Sequence, residues 1–287
     1  MSEEIRIPCE AVASAECHCG RPVRWDPISS RRGSAVWKGT GPAASVALKA
    51  GQGEGALITS REITVAKRMP GHSPLIASGR TETVSWLITP WHDGPSTWDV
   101  FRAVRTTHQG TREARDAAVD LCLAVADLHS QSWTHGDLQP DHAIHTKTGV
   151  QLIDCTWAAS PTLAPSWIFR GGLPHLLAPE LAAEIEAGDR PVRVSPAAEV
   201  HTLAATLWRA ATGTWPRDYT AVGIAPSICL SGPEVRRLVA REQLPFTDAP
   251  QWPDLLAILR CALSTPPGRS PVALDLTNAL SDLDVDL

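Results

Sequence analysis

A chain of 287 residues with 43% hydrophobic and 20% charged side chains can build a large core and is too apolar to stay disordered. A formal charge of -5 and a pI near 6.1 exclude the overall basic field that draws nucleic acid or anionic lipid. No apolar run reaches the roughly 18 residues of a bilayer span, so neither nucleic acid nor a membrane is expected as a partner.

Residues 1–22 read as an N-terminal extension. The start "MSEEIRIPCE" lacks the basic-then-apolar layout of a signal peptide, and a cytoplasmic location is the expectation. Seven cysteines, at 9, 17, 19, 122, 155, 229 and 261, are an odd and scattered set that suits a reduced compartment. Only Cys17-His18-Cys19 is clustered, and it lacks both C-x2-C spacing and a second knuckle, so it reads as incidental thiols rather than a zinc site.

From Val23 to Ala50 the segments "VRW", "SAVWKG" and "SVALKA", separated by Gly, Pro and Ser, predict three strands of a meander. "ALITSREITVAKRM" has apolar residues at helical spacing up to Pro70-Gly71 and predicts one helix. "LIAS" and "TVSWLIT" predict two further strands. After "PWHDGPST" the pattern changes: Arg112 to Ser130 is a strongly amphipathic helix, and from Ala197 the chain is mostly helical, with Pro-rich joints at 161–179 and 213–226. The fold class is therefore α+β, with a strand-rich part over 23–92 and a helix-rich part over 93–287.

Of 26 basic residues only Lys38, Lys49, Lys67 and Lys147 are lysines. Arginine serves wherever a generic positive charge suffices, so each lysine is a candidate for a specific task.

"HGDLQPDHAIHTKTGVQLID" places Asp137 and Asp154 around two apolar runs joined by a Thr-Gly turn. Strand alternation brings both carboxylates to the same end of one hairpin. Such a pair can divide two tasks, one orienting a nucleophile and the other holding a metal. Any single aspartate in a loop is more often a cap, and its neighbours decide here.

Those neighbours resemble the protein kinase family. "HGDLQPDH" is similar to that family's catalytic loop, "LIDCTWA" to its magnesium-binding segment, "VALK" (46–49) to its lysine strand and "SREITVAKRM" to its regulatory helix. Downstream, "LPHLLAPE", "SPAAEVHTLAATLWRAATGTWP" and "LSTPPGRSP" resemble its later motifs, in order, so that the likeness runs from about residue 23 to 285. It implies a two-lobed protein-kinase-like fold: an N-lobe antiparallel sheet with one helix, and a mainly helical C-lobe. It also implies ATP and Mg2+ as cofactors. Lys49 would ground the phosphates and pair with Glu62, Asp137 would orient the acceptor hydroxyl, and Asp154 would hold magnesium. Gly33 and Val36 would cover the nucleotide, Thr89 would stand at the gatekeeper and Pro90, Trp91 and His92 at the hinge. Glu180 and Arg269 would form a buried ion pair.

Several positions depart from that pattern. Ser29, Arg31 and Ser34 stand near usual glycine positions, where bulk keeps amides from phosphate. Arg31 or Arg32 would then reach phosphate through its side chain. His142 takes the place of the asparagine that holds a second metal, and imidazole suits softer metals than magnesium. Gln139 replaces a lysine that approaches the transferred phosphate. Gly136 replaces the arginine that reads a phosphorylated loop, which implies constitutive competence. Cys155 and Thr156 replace Phe and Gly, and Glu199 replaces an aspartate that braces the loop. Trp86 and Trp208 are expected in the core, with Trp91 and Trp157 more core than nucleotide lining; Trp133, Trp167 and Trp215 are candidates for a peptide-docking surface.

The resulting expectation is an ATP- and magnesium-dependent phosphotransferase acting on a Ser/Thr hydroxyl of a peptide or protein. The acceptor would include a ribosomal precursor peptide of the lanthipeptide kind, with a partner tailoring enzyme that eliminates the phosphate. Two alternatives stand beside it: a pseudokinase that binds nucleotide or scaffolds another enzyme, and a small-molecule kinase of the aminoglycoside type, whose loops also read "HGD".

Overall fold

The computed structural model describes residues 5–69, 74–188, 190–225, 228–242, 244–266, 269 and 271–285. Pro70 and Gly71 of the expected helix stop lie outside these, as do residues 267, 268 and 270 of the last motif; the helix expected to run to Met69 ends earlier, at Ala66. The protein is α+β and divides into two compact units: one runs to Asp93 and takes in Asp154–Thr156, the other takes Gly94–Ile153 and the chain from Trp157.

The first unit is built on a five-stranded antiparallel sheet of β1 (Arg24–Arg31), β2 (Ser34–Thr40), β3 (Ser45–Gln52), β4 (Ala77–Arg80) and β5 (Val84–Pro90), in the order β1-β2-β3-β5-β4. All five expected strands form, the "LIAS" strand shifted toward Arg80. Pro27 is tolerated because β1 is an edge strand, and the register with β2 shifts between Pro27 and Ser29. Arg31 opposes Ser34 across a two-residue turn whose Arg32 and Gly33 have φ of 51° and 71°. Two consecutive positive φ values define the type I′ turn that matches strand twist.

Alternation along β3 decides what each face carries. Val46, Leu48 and Ala50 are fully buried and pack with Trp86 and Ile88 in one cluster, so Lys49 points to the opposite face. That face meets α2 (Glu54–Ala66), whose Glu62 lies within reach of the lysine.

The apolar face is covered by an element the sequence reading missed. Residues expected to be an extension with incidental thiols carry α1 (Cys9–Cys19), whose Ala11, Ala15 and Cys19, at i, i+4 and i+8, are fully buried in the same cluster. Small side chains let this helix approach the sheet closely, and burial raises the Cys19 thiol above its ordinary pKa.

The second unit contains α3 (Thr97–Val100), α4 (Arg102–Thr107), α5 (Thr111–Ser130), a hairpin of β6 (Ala143–Thr146) and β7 (Gly149–Leu152), and then α6 (Pro179–Ala187), α7 (Pro196–Thr212), α8 (Gly232–Ala240), α9 (Pro253–Ser264) and α10 (Ala273–Ser281). α5 forms one residue longer than its periodicity predicts. Its Leu121 and Val125 pack with Leu203, Trp208, Leu255 and Leu280 in the main core. A second cluster joins Phe169, Leu177, Leu181, Ile185 and Val239. No described helix is long and apolar enough to cross a membrane.

Trp86 and Trp208 are core residues, as expected. Trp133 is also buried, which removes it from any docking surface, while Trp167 is 67% exposed. The expected buried pair of Glu180 and Arg269 does not form: Arg269 is exposed, and among the described residues no ion pair joins the two. The buried arginine of this region is Arg236, 2.7 Å from Glu186.

Candidate functional site

In the first unit, residues far apart in sequence converge on one ammonium group. Lys49 Nζ donates to Glu62 Oε2 at 2.6 Å and to Asp154 Oδ1 at 2.7 Å, and lies 3.5 Å from Thr156 Oγ1. The Thr156 hydroxyl reaches Glu62 Oε2 at 2.9 Å and Asp154 Oδ1 at 3.2 Å. Glu62 and Thr156 are buried, and Asp154 is half-buried at φ 56°, a left-handed conformation that Asp tolerates better than most residues. Burial alone would lower the Lys49 pKa, but the Glu62 and Asp154 carboxylates outweigh it and hold the ammonium above its ordinary value. The lysine is a fixed positive charge.

The other first-unit residues singled out in the sequence lie along the sheet. Val36 opposes Lys49 across β2 and β3, and Thr89 opposes Ala47 at the end of β5. Pro90 is the last strand residue, and the Trp91 amide donates to Ser45 O at 3.0 Å. Lys38 lies 4.5 Å from the centre of the Trp91 ring and 3.8 Å from Asp93, which gives this second lysine a structural task. His92 is half-buried. The Gly33 carbonyl accepts from Gln52 N at 2.8 Å, and any side chain on Gly55 would overlap it. The hairpin tip is thus docked on the start of α2 by its own backbone.

In the second unit the loop around Asp137 is held by its main chain. Glu199, buried on α7, accepts from His135 N at 2.9 Å and Gly136 N at 2.7 Å, with His129 Nε2 also at 2.9 Å. Burial alone would raise this carboxyl, but the His129 contact, His135 and the Gly136 amide bring it below the ordinary value of 4.5. The brace expected of Glu199 is therefore a carboxylate capping two amides. His135 accepts from Asp137 N through Nδ1 at 3.2 Å and donates Nε2–H to Ile153 O at 3.0 Å, which fixes its tautomer.

Asp137 itself is 9% exposed. Its Oδ1 accepts from Gln139 Nε2 at 2.7 Å, and its carbonyl accepts from His142 Nδ1 at 2.8 Å. In the neutral His142 ring the lone pair then lies on Nε2. Gly172 lies so close that a methyl group there would overlap Asp137 Oδ1. Gly136, Asp137, Leu138, Gly172 and Leu173 line a small cavity with Thr202.

Gly136 has φ 79°, and a Cβ on it would come within 2.8 Å of the Trp157 carbonyl oxygen. The absence of a side chain is a packing requirement here. Three arginines bind carbonyls of the segment leading to Gly172: Arg193 to Ser160 at 2.6 Å, Arg190 to Phe169, and Arg236 to Arg170 at 3.1 Å. The half-buried Trp157 ring lies tilted beside that of Phe169, 5.7 Å between centres, and packs against the second cluster, in line with its core reading.

The structure thus brings Lys49, Glu62 and Asp154 together in one unit and Asp137, Gln139 and His142 together in the other. Thr156 and Gly172 were not singled out as site residues; a lone Thr or Gly carries no periodic or spacing signal that would reveal its partners. No protein-family model matches the chain.

Proposed function

We propose that this chain is an ATP- and magnesium-dependent phosphotransferase that moves a γ-phosphate to a Ser/Thr hydroxyl of a peptide or protein. Its two units would be the small and large lobes of a protein-kinase-like fold. The observation that carries this reading is the convergence of Lys49, Glu62 and Asp154, separated by 13 and 105 residues from the lysine, on one ammonium group.

The donor chemistry fits the implied groups unequally. The Asp154 carboxylate is a hard oxygen ligand suited to magnesium, and His142 offers an imidazole better suited to softer ions. Asp154 would hold the metal, and Lys49 would contact phosphate oxygens. Bound Mg2+ would neutralise charge on the transferred phosphoryl group. Glu62 keeps Lys49 in place. Asp137 would accept a hydrogen bond from the acceptor hydroxyl and take its proton, while Gln139, bonded to Oδ1, aims the carboxylate. Arg190, Arg193 and Arg236 hold the segment before Gly172 through its carbonyls, which supports competence without loop phosphorylation.

A second reading rests on a specific observation. Asp137 Oδ1 is engaged by Gln139 and faced by Gly172, which suits a chain that binds nucleotide and positions another enzyme without transferring phosphate. Thermal unfolding with ATP, with and without magnesium, tests the nucleotide site common to both. Magnesium-dependent stabilisation of the wild type that is lost in Asp154→Asn is the expected result. No stabilisation of either protein would overturn the assignment of Lys49 and Asp154.

A further inference from the structure

The hydroxyl of Thr156 sits where two carboxylates and one ammonium meet. It lies 2.9 Å from Glu62 Oε2, 3.2 Å from Asp154 Oδ1 and 3.5 Å from Lys49 Nζ, in a residue only 1% exposed. A hydroxyl has one proton and two lone pairs, so it donates to one carboxylate at a time and can accept from the ammonium. Glu62 Oε2 and Asp154 Oδ1 are the same two oxygens that Lys49 contacts. Lysine and threonine therefore select the same oxygen on each acid.

This matters most for Asp154. Its backbone is in the left-handed region, and the short 3-10 turn Cys155–Trp157 follows at once. A carboxylate carried on such a turn keeps its direction only if side-chain contacts over-determine it. We propose that Thr156 is a positioning residue: its hydroxyl latches the Asp154 carboxylate inward onto the Lys49–Glu62 pair, so that the metal-holding group is set before any ligand arrives. The inference rests on the phosphotransferase reading and adds to it a source of preorganisation within the chain, independent of a modified loop or a partner.

The latch depends on a hydroxyl rather than on bulk. Thr156→Val keeps the shape and removes the donor, whereas Thr156→Ser keeps the donor and removes a methyl. Calorimetric titration with ATP in the presence and absence of magnesium separates these. The expected result is Mg·ATP affinity within about twofold of wild type for Thr156→Ser and about tenfold weaker for Thr156→Val, the size of one hydrogen bond to a charged group. The gain in ATP affinity on adding magnesium should shrink in Thr156→Val alone, a readout that a purely structural role would leave unchanged.

Amide hydrogen exchange of the ligand-free proteins gives a second reading. Exchange at Cys155–Trp157 should quicken in Thr156→Val and stay slow in Thr156→Ser. If Thr156→Val does not fold, Thr156→Ala takes its place with the same expectation. Wild-type affinity and magnesium response in the Val variant, or equal weakening in Ser and Val, would overturn the latch and leave the phosphotransferase reading standing. Absence of Mg·ATP binding by the wild type would overturn both.

Discussion

The candidate residues of the two units are held in place by different means. In the first unit, Lys49, Glu62, Asp154 and Thr156 hold one another, side chain to side chain, so the geometry depends on charge balance within a partly buried network. In the second unit, Asp137 is placed by its backbone: a buried carboxylate caps two amides, a histidine ring bridges the loop to Ile153, and a glycine admits a neighbouring carbonyl. The first arrangement can respond to a charged ligand, whereas the second fixes the direction of the loop that carries Asp137. Substitutions should therefore separate them. Those in the second unit should lower stability, and those in the first should lower ligand binding with a smaller effect on folding.

The largest stability effect is expected from Glu199→Ala. It leaves two buried amides and His129 without their acceptor, and a loss of about 3–5 kcal/mol is expected from urea unfolding. The same carboxylate predicts a pH dependence. Its folded pKa lies below the ordinary 4.5, so its contribution is present above that value and disappears as pH falls through the folded pKa. Glu199→Gln should flatten this part of the stability profile between pH 5 and the folded pKa; an unchanged profile would show that the brace is not ionised.

Gly136→Ala ranks next, with an expected loss of about 1–3 kcal/mol from positive φ and the close approach to the Trp157 carbonyl. A neutral result would remove the steric reason for glycine here. Smaller still is Cys19→Ser, which buries a hydroxyl against the sheet and should cost about 1–2 kcal/mol. No change would detach α1 from the core of the first unit. Lys49→Met completes the comparison. It should abolish magnesium-dependent stabilisation by ATP while altering second-unit stability less than Glu199→Ala does.

How much of this was legible in the sequence follows from where the information lies. Strong periodicity revealed α5, and turn residues separated the strands of the sheet, because burial on one face imposes those patterns directly. Lys49, Glu62 and Asp154 were singled out by motif resemblance, and Lys49 also by the scarcity of lysine. α1 was missed because its buried face is Ala, Ala and Cys, too small to register as an apolar stripe, although Pro8 before it and Gly20 after it are helix boundary signals. Thr156 and Gly172 escaped because their roles exist only once distant segments meet. The Glu180–Arg269 expectation failed because a motif specifies residue types, whereas the buried arginine here is Arg236, paired with the half-buried Glu186.

The most direct test of the central claim is phosphorus NMR of ATP and magnesium incubated with the protein and Ser/Thr-containing peptides. The account predicts ADP and a phosphorylated peptide with the wild type, and a rate at least about 100-fold lower with Asp137→Asn. Equal transfer by Asp137→Asn, or nucleotide bound with magnesium and no phosphopeptide formed, would contradict it.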